Sequence, residues 1–333
     1  MNFVKETASP KGKTELLDYL PAMGIGPVRA ELLKGLLETP KKIPSKYFYD
    51  AAGSELFEEI TRLDEYYPTR TEKQIISGQI GELMLDFKAL NIVELGSGDA
   101  SKISLLLSQV PPRLLKTVHY FPVDISRPAI EKAAQELIQK FDLKGITGVV
   151  ADFYHQMHVI PEVPDRLFCF FGSTIGNFTP QQARDFMSRL GKIMHPGDGL
   201  LLGVDRVKEI TVLEKAYNDK KGITARFNKN ILNVVNHLAH TGFRTSDFKH
   251  IAFFNRDKNR IEMHLEALKD LAVDFEGYGK KIFFKKGERV HTENSQKFTD
   301  ADIRQLGDWA SLRVQHVLTD PKGWFSLVYY RAV

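Results

Sequence analysis

The feature that most constrains this chain is the alternation of strand and helix signals between residues 91 and 204. Asn91–Leu95 reads as a strand ending in Gly96-Ser97-Gly98, and Ser101–Gln109 follows with helical spacing. His119–Val123 is a second strand, closed by Asp124. Ser126 can cap the next helix, Pro128–Phe141, with its proline at a tolerated early position. Ile146–Ala151 is a third strand, closed by Asp152. Within Arg166–Phe171 the run from Leu167 is apolar throughout, as expected of a strand covered on both faces. Thr179-Pro180 opens a helix to about Met194, and Pro196–Gly199 turns into the strand Leu200–Val204. Strands joined by helix-length connections cannot pair as hairpins, so a mostly parallel sheet with right-handed crossovers follows.

The pattern then changes. Val207–Tyr217 and Ile223–Ala239 read as helices, followed by short alternating runs. Ile261, Met263 and Leu265 share one face and Glu262, His264 and Glu266 the other, with polar turns at Asn255–Asn259 and Lys285–Glu288. This stretch, to about residue 296, is expected to be an insertion with its own antiparallel sheet. Thr299–Leu312 returns to helix, and Ser311–Thr319 and Trp324–Ala332 form a final hairpin around Asp320–Gly323. A parallel sheet finished by an antiparallel hairpin is the α/β, Rossmann-like layout of class I methyltransferases. Before the alternation, Thr14–Leu37 carries helical spacing, broken at Pro21 and Gly24–Gly26. An aromatic-rich piece follows, from Lys46-Tyr-Phe-Tyr-Asp50 to Glu65-Tyr-Tyr-Pro-Thr-Arg70.

Composition removes several classes. The 333 residues carry 46 Lys+Arg against 42 Asp+Glu, a net +4 that gives little support to a nucleic-acid or membrane-surface partner. Cys169 is the single cysteine, which excludes an internal disulfide and a cysteine-based zinc site. It falls inside a strand and is expected to be a buried small hydrophobe. The first residues lack the apolar stretch of a signal peptide, and no apolar run reaches the ~18–20 residues of a membrane span. The expectation is a cytoplasmic protein. The ten histidines show no acidic partners at metal-ligand spacing, so no metal is expected. Lys280, Lys281, Lys285 and Lys286 read as a solvated hairpin.

The glycine loop is the sharpest chemical motif. Glycines let backbone approach a ligand closely. A nicotinamide fingerprint needs a third glycine three residues after the second, and that place is held by Ser101. Asp99 also sets a negative charge where a pyrophosphate would lie. Glu94 and Asp99 therefore fit a ligand without phosphates, for which S-adenosylmethionine (SAM) is the obvious choice. Asp124, at a strand end, can hold ribose hydroxyls; Asp152 can accept the adenine amino group, and Phe153 can lie against the ring. Lys102 is open between a solvated helix lysine and a partner for the ligand's carboxylate. The fourth strand runs into Gly172-Ser-Thr-Ile-Gly-Asn177, where ligands of open α/β sheets collect and where Asn177 offers both donor and acceptor.

Several motifs together resemble one family, the SAM-dependent histidine Nα-methyltransferases of ergothioneine biosynthesis. They are Phe48-Tyr-Asp50, Gly53-Ser-Glu-Leu-Phe57, Ile60-Thr-Arg-Leu63, Glu65-Tyr-Tyr-Pro-Thr-Arg70, Glu94-Leu-Gly-Ser-Gly98, Gly176-Asn177, Ala216-Tyr-Asn-Asp219, Gly222-Ile-Thr-Ala225, Phe227-Asn228 and Glu293-Asn-Ser295. The resemblance runs from about residue 15 to the C-terminus. It implies a methyltransferase core (71–207 and 298–333) and a smaller α+β substrate domain (1–70 and 208–297). It implies that Tyr66, Asn177, Tyr217, Glu293 and Ser295 hold the amino-acid substrate, with Tyr49 near its amino group. Gly96, Lys102, Asp124, Asp152 and Phe153 match cofactor positions, and Ser97 and Gly98 complete that loop. The sequence departs from the pattern at Asp64, at Ser173 in place of a common glycine, and at Asp99-Ala100.

The implied reaction moves methyl groups from SAM to the α-amine of L-histidine, giving hercynine, and positioning contributes most to such a displacement. Tyr49, Tyr66 and Asn177 are the expected catalytic residues. Tyr67 and Phe48 suit an aromatic core better. Glu293 and Ser295 are two apart, so on a strand they face one side. They could grip two imidazole nitrogens; the same spacing also suits a solvated edge strand. Another aromatic amino acid or derived amine, such as tyrosine or a prenylated tryptophan, is the alternative substrate. A nucleic-acid methyltransferase would carry an Asn-Pro-Pro-aromatic loop after the fourth strand, which this chain lacks. A non-catalytic SAM-binding module is a further alternative. The partner expected is a small molecule, and the chain is expected to be a monomer.

Overall fold

The computed structural model describes residues 7–9, 12–20, 24–84, 87, 89–276 and 278–333. The chain divides into two compact units. One comprises Met1–Pro21, Thr71–Arg206 and Phe298–Val333; the other comprises Ala22–Arg70 and Val207–Lys297.

The first unit is built on a nine-stranded sheet. Its strands, in chain order, are β1 (Thr7–Ser9), β2 (Gly12–Asp18), β3 (Asn91–Leu95), β4 (His119–Asp124), β5 (Gly145–Val150), β6 (Arg166–Phe170), β7 (Gly199–Asp205), β8 (Leu312–Thr319) and β9 (Phe325–Ala332). In space they run β1-β2-β5-β4-β3-β6-β7-β9-β8. Every pair from β2 to β7 is parallel, and β9 lies antiparallel to both β7 and β8. This is the class I methyltransferase order, closed by the expected hairpin. The strand order reverses at β3, between β4 and β6, which is where such sheets take ligands beyond their carboxyl ends.

Strand periodicity of two sorts the core onto both faces of this sheet. Ile92, Tyr120, Ile146, Leu167, Cys169 and Leu201 point one way, under Ile75, Ile76 and Ile80 of the helix Tyr67–Met84 and Ile103, Leu106 and Leu107 of the helix Ser101–Gln109. Val93, Leu95, Phe121, Val123, Phe168, Phe170 and Leu202 point the other way, against the helices Pro180–Ile193 and Asp300–Ala310. Both of those helices begin with a full capping box, at Thr179/Gln182 and Thr299/Asp302. Cys169 is fully buried, as its place in an apolar strand implied.

The N-terminal expectation fails in part. Thr14–Leu20 carries helical spacing, yet Gly12–Asp18 is strand β2, pairing in parallel with β5 from Lys13↔Gly145 to Asp18↔Val150. Leu16 is buried and packs with Ile130 and Val150. Seven residues are too few for periodicity to decide, and an open sheet edge captures the segment. This strand carries its part of the chain into the first unit, not into the smaller domain expected for 1–70. The helical half of the reading holds: Ile25–Leu37 is a helix.

The second unit joins helices to a four-stranded sheet. Its strands run Lys41–Lys42, Arg289–Gln296, Arg260–Ala267 and Phe248–Asn255 in spatial order. Ile261, Met263 and Leu265 are buried on one face, as their alternation required. The helices Ala51–Thr61, Ile210–Tyr217 and Ile223–Ala239 belong to this unit, as does the separate hairpin Leu271–Phe275/Lys280–Phe284.

Candidate active site

In the first unit the candidate site is a set of backbone turns at the carboxyl ends of β3, β4 and β5. After β3 the chain turns through Gly96 at φ +69° and Gly98 at φ +49°. A side chain at Gly96 would be strained by that φ and would press on the Phe153 ring, 3.3 Å from where its Cβ would stand. The loop is tied to β4 by the Gly98 N–H, which donates to Asp124 Oδ2 at 3.1 Å, while Oδ1 accepts from Ser126 N–H at 2.9 Å. Burial pushes the Asp124 carboxyl up against these backbone donors. Asp99 accepts from Ser101 N–H at 2.8 Å, so this departure from the family pattern supplies an acceptor at the start of the following helix. The Ser97 hydroxyl is buried and makes no hydrogen bond among the described residues. An orphaned buried hydroxyl in a glycine turn is what a site built for a polar ligand leaves open.

Asp152 is held by its own turn. Oδ1 accepts from the N–H groups of Tyr154 (2.9 Å) and His155 (3.2 Å), and Oδ2 lies 2.7 Å from His155 Nδ1. The half-buried Phe153 ring meets Phe170 edge-on at 5.5 Å. Two buried acids stand behind the loop. Glu94 accepts from the Tyr120 hydroxyl, and burial pushes it up to about 8 over the opposing pull of Tyr120 and Lys102. Glu72 is fully buried; it pairs with Lys102 Nζ at 2.8 Å and accepts from Gly172 N–H at 2.9 Å. Lys102 is thus not a solvated helix lysine.

The loop after β6 is left-handed twice, at Gly172 (φ +79°) and Ser173 (φ +55°). Glycine is the usual tenant of such a position, which accounts for the family preference that Ser173 breaks. Ser173 Oγ accepts from Asp205 N–H at 2.9 Å. The one-turn helix Thr174–Asn177 then ends the loop at Asn177, whose half-buried amide makes no hydrogen bond among the described residues.

In the second unit the candidate residues are linked through rings and a buried polar network. Phe48 stacks on Phe227 at 4.5 Å, and Tyr49 meets both Phe57 (5.8 Å) and Phe227 (6.0 Å). Phe57 meets Tyr66 at 6.2 Å, and Tyr66 meets Tyr217 edge-on at 6.2 Å. The Tyr217 hydroxyl donates to Ser295 Oγ at 2.7 Å. Lys297, fully buried, donates from Nζ to Ser295 Oγ at 2.7 Å and to the Tyr217 oxygen at 3.4 Å. Glu293, two residues before Ser295 on the same strand, is half-buried. Desolvation pushes its carboxyl up to about 8, over the lowering influence of Lys297. Tyr67, expected in an aromatic core, is 1% exposed and its oxygen accepts from Lys208 Nζ at 2.7 Å, whereas Tyr49 is 46% exposed.

A family profile described as histidine-specific methyltransferase, SAM-dependent, matches residues 28–332. The chain belongs to this family. It is 40% identical to the histidine N-alpha-methyltransferase of Mycolicibacterium smegmatis over 94% of this chain and 97% of that one. It is 38% identical to the enzyme of the same name from Mycobacterium tuberculosis, over 90% and 93%. Ergothioneine biosynthesis protein 1 of Neurospora crassa is 29% identical over 82% of this chain, which spans 31% of that longer protein. Among solved structures, the mitomycin 7-O-methyltransferase MmcR aligns with a TM-score of 0.47 at 13% identity, over 86% of this chain and 59% of that one. At that distance the likeness carries nothing about the site.

As a histidine-specific methyltransferase, the chain spends much of its family signature on scaffold. Asp50 caps the helix Ala51–Thr61 through Gly53 N–H (2.7 Å) and accepts from Asn230 Nδ2 (2.8 Å). Gly53 is glycine because a Cβ there would stand 1.7 Å from the Phe48 carbonyl oxygen. Asp219 accepts from the N–H groups of Ile223 (2.9 Å) and Thr224 (2.8 Å) at the start of the helix Ile223–Ala239. Burial alone would raise Asp219, but those donors hold it below its ordinary value. Asn228 bridges His250, the His264 carbonyl and Thr292. The sequence reading missed Glu72 and Lys297. Glu72 has a signal: it interrupts the apolar stripe Ile75, Ile76, Ile80 of its helix. Lys297 has a weaker one, continuing the face of Glu293 and Ser295. Among the described residues, no group of three or more His, Cys, Asp or Glu could hold a metal, and no helix is long and apolar enough to cross a membrane.

Proposed function

We propose that this chain trimethylates the α-amino group of L-histidine to hercynine, for ergothioneine biosynthesis, using SAM. The observation that carries the substrate is the polar set Glu293, Ser295, Tyr217 and Lys297. A raised carboxyl and a buried hydroxyl on one strand face suit a ring with one nitrogen to donate and one to accept. An indole or a phenol has no use for both.

When bound, SAM supplies a methyl group activated by its sulfonium. In this reading Gly96, Ser97 and Gly98 give that molecule a side-chain-free approach, with the Ser97 hydroxyl as an available partner. Asp124 takes ribose hydroxyls and Phe153 lies against adenine. Asp152 takes the exocyclic amine through Oδ2, which keeps a lone pair beyond its His155 contact. Lys102, braced by Glu72, faces the carboxylate.

Tyr66, Asn177 and Tyr217 hold the amino acid, and Tyr49 stands near its amine. The amine must be neutral to act as a nucleophile, so these residues have to orient a lone pair and need no strong acid. Aromatic faces accommodate the cation that grows on nitrogen, at roughly 0.5–2 kcal/mol each. The proposal includes a cytoplasmic monomer that works on a small molecule, without a metal and without nucleic acid. Light scattering checks the monomer, and activity in a chelator checks the metal.

The test is to incubate the protein with SAM and, separately, histidine, tyrosine and tryptophan, and to weigh the products. Stepwise gain of up to three methyl groups on histidine alone supports the reading. Turnover of another amine without histidine overturns the substrate and leaves the cofactor reading standing.

A further inference from the structure

We infer that Lys297 is a positioning residue that turns Ser295 into a one-way hydrogen-bond donor, so that the site takes histidine as the neutral imidazole in a single tautomer. The inference rests on the reading of Ser295 and Glu293 as contacts to the substrate ring.

A serine hydroxyl has one proton to give and two lone pairs to receive with. At Ser295 both lone pairs are in use, one by Lys297 Nζ and one by the Tyr217 hydroxyl, each at 2.7 Å. The residue is 6% exposed, and among the described residues no acceptor takes its proton. What Ser295 can offer a ligand is therefore an O–H and nothing else. Lys297 decides this, because an ammonium can only donate. In this arrangement the Tyr217 hydroxyl is the donor to Ser295, and Lys297 Nζ lies 3.4 Å from the same tyrosine oxygen.

Glu293 sits two residues away on the same strand; burial pushes its carboxyl up to about 8, and in its carboxylate form, above that pH, it only accepts. The pair thus presents one donor and one acceptor. Neutral imidazole matches them: its bare nitrogen takes the Ser295 proton and its N–H goes to Glu293. Imidazolium brings two N–H groups and would set one against the Ser295 proton. The opposite tautomer fails at both contacts. Without Lys297, one Ser295 lone pair is released, the hydroxyl can act in either sense, and the filter is lost.

Two measurements test this on the intact protein with S-adenosylhomocysteine present, so that nothing turns over. The first is 15N NMR of ring-labelled histidine bound to the unmodified protein above the pH of about 8 at which Glu293 gives up its proton. One protonated and one bare ring nitrogen, in fixed positions, is expected; a bound imidazolium or a tautomer mixture overturns the inference. The second is a double-mutant cycle on the histidine Kd. Ser295→Ala and Lys297→Met are each expected to weaken histidine about 10-fold or more, with the double variant no weaker than the worse single one. The Kd for S-adenosylhomocysteine should move less than about 2-fold, a routine bound for an uncoupled site. Lys297→Arg, which keeps a donor, should recover most of the loss. Additive losses overturn the inference. If Lys297→Met does not fold, the NMR result decides alone. A Ser295→Ala variant that binds histidine like the parent is a different failure, since it removes Ser295 from the substrate and with it the reading on which the inference stands.

Discussion

The two units prepare their candidate sites by different means. In the first, the preparation is in the backbone: φ +69° at Gly96 and +49° at Gly98, with the loop pinned through Gly98 N–H to Asp124. In the second it is in side chains drawn from distant parts of the sequence. Tyr217 and Ser295 are 78 residues apart and share one hydrogen bond. A backbone turn is encoded within a few residues and tolerates little substitution at its glycines. A side-chain network is encoded across the whole unit, and each member can be removed with the frame left standing. The two halves should therefore fail differently when mutated.

The largest separation is expected at Glu293. Glu293→Ala should raise the KM for histidine about 100-fold at a pH where Glu293 is ionised, the scale for losing a charge-assisted hydrogen bond. The Kd for SAM should stay nearly fixed. Steady-state kinetics with a separate SAM titration checks both numbers, and equal losses for both ligands would break the comparison. Gly96→Ala is the mirror experiment. A left-handed alanine costs about 1–2 kcal/mol and its Cβ would press on the Phe153 ring, so SAM should bind about 10-fold more weakly and the melting temperature should fall by a few degrees, roughly 2–4 °C per kcal/mol.

A pH effect cuts across both halves. Glu293 and Glu94 are each pushed from 4.5 to about 8. Across that window the folded protein keeps protons that the unfolded chain has released. Stability therefore falls as pH rises from about 4.5 toward 8, the sign that linkage requires when the folded state binds more protons. Denaturant titrations at pH 5 and pH 8 should show the loss. Glu94→Gln and Glu293→Gln should each flatten the profile, and a steeper profile in either would show the assigned direction to be wrong.

The same contrast explains what could be read from the sequence. The first unit was legible because its information is local. Strand ends, the glycine loop and the helix start at Thr179 stand in short stretches, and the parallel pairing followed from helix-length connections. The error at Thr14–Leu20 came where locality gives out: seven residues adopt strand pairing because β5 offers an open edge. In the second unit, no spacing rule could show that Tyr217 meets Ser295, or that Asp50, Asp219 and Asn228 hold the frame. Those residues became visible as a set through family resemblance, which does not separate scaffold from site. Lys297 is harder to read: it continues the face of Glu293 and Ser295, but a lone lysine after a strand reads as solvated, and its complete burial decides the matter.

The smallest expected effect is the most discriminating about the backbone-built half. Ser173 is the non-glycine member of the left-handed pair in the loop after β6, at φ +55°. Ser173→Gly relieves a left-handed strain of roughly 1 kcal/mol. It also removes the hydroxyl that accepts from Asp205 N–H at 2.9 Å, within a buried stretch of β7. Losing that partner costs about 1–3 kcal/mol if the N–H stays unpaired, and glycine adds freedom to the unfolded chain worth about another 0.5–1 kcal/mol. The relief offsets only part of this, so the variant should be less stable by about 1 kcal/mol, near the floor of that sum. Chemical denaturation resolves a change of that size. A gain in stability would mean that strain dominates this loop and that the family's common glycine is there for its backbone alone. A loss well above 3 kcal/mol would mean that the serine hydroxyl, a side chain, holds the loop after β6 in place, and the contrast between the two units would have to be redrawn at that strand end.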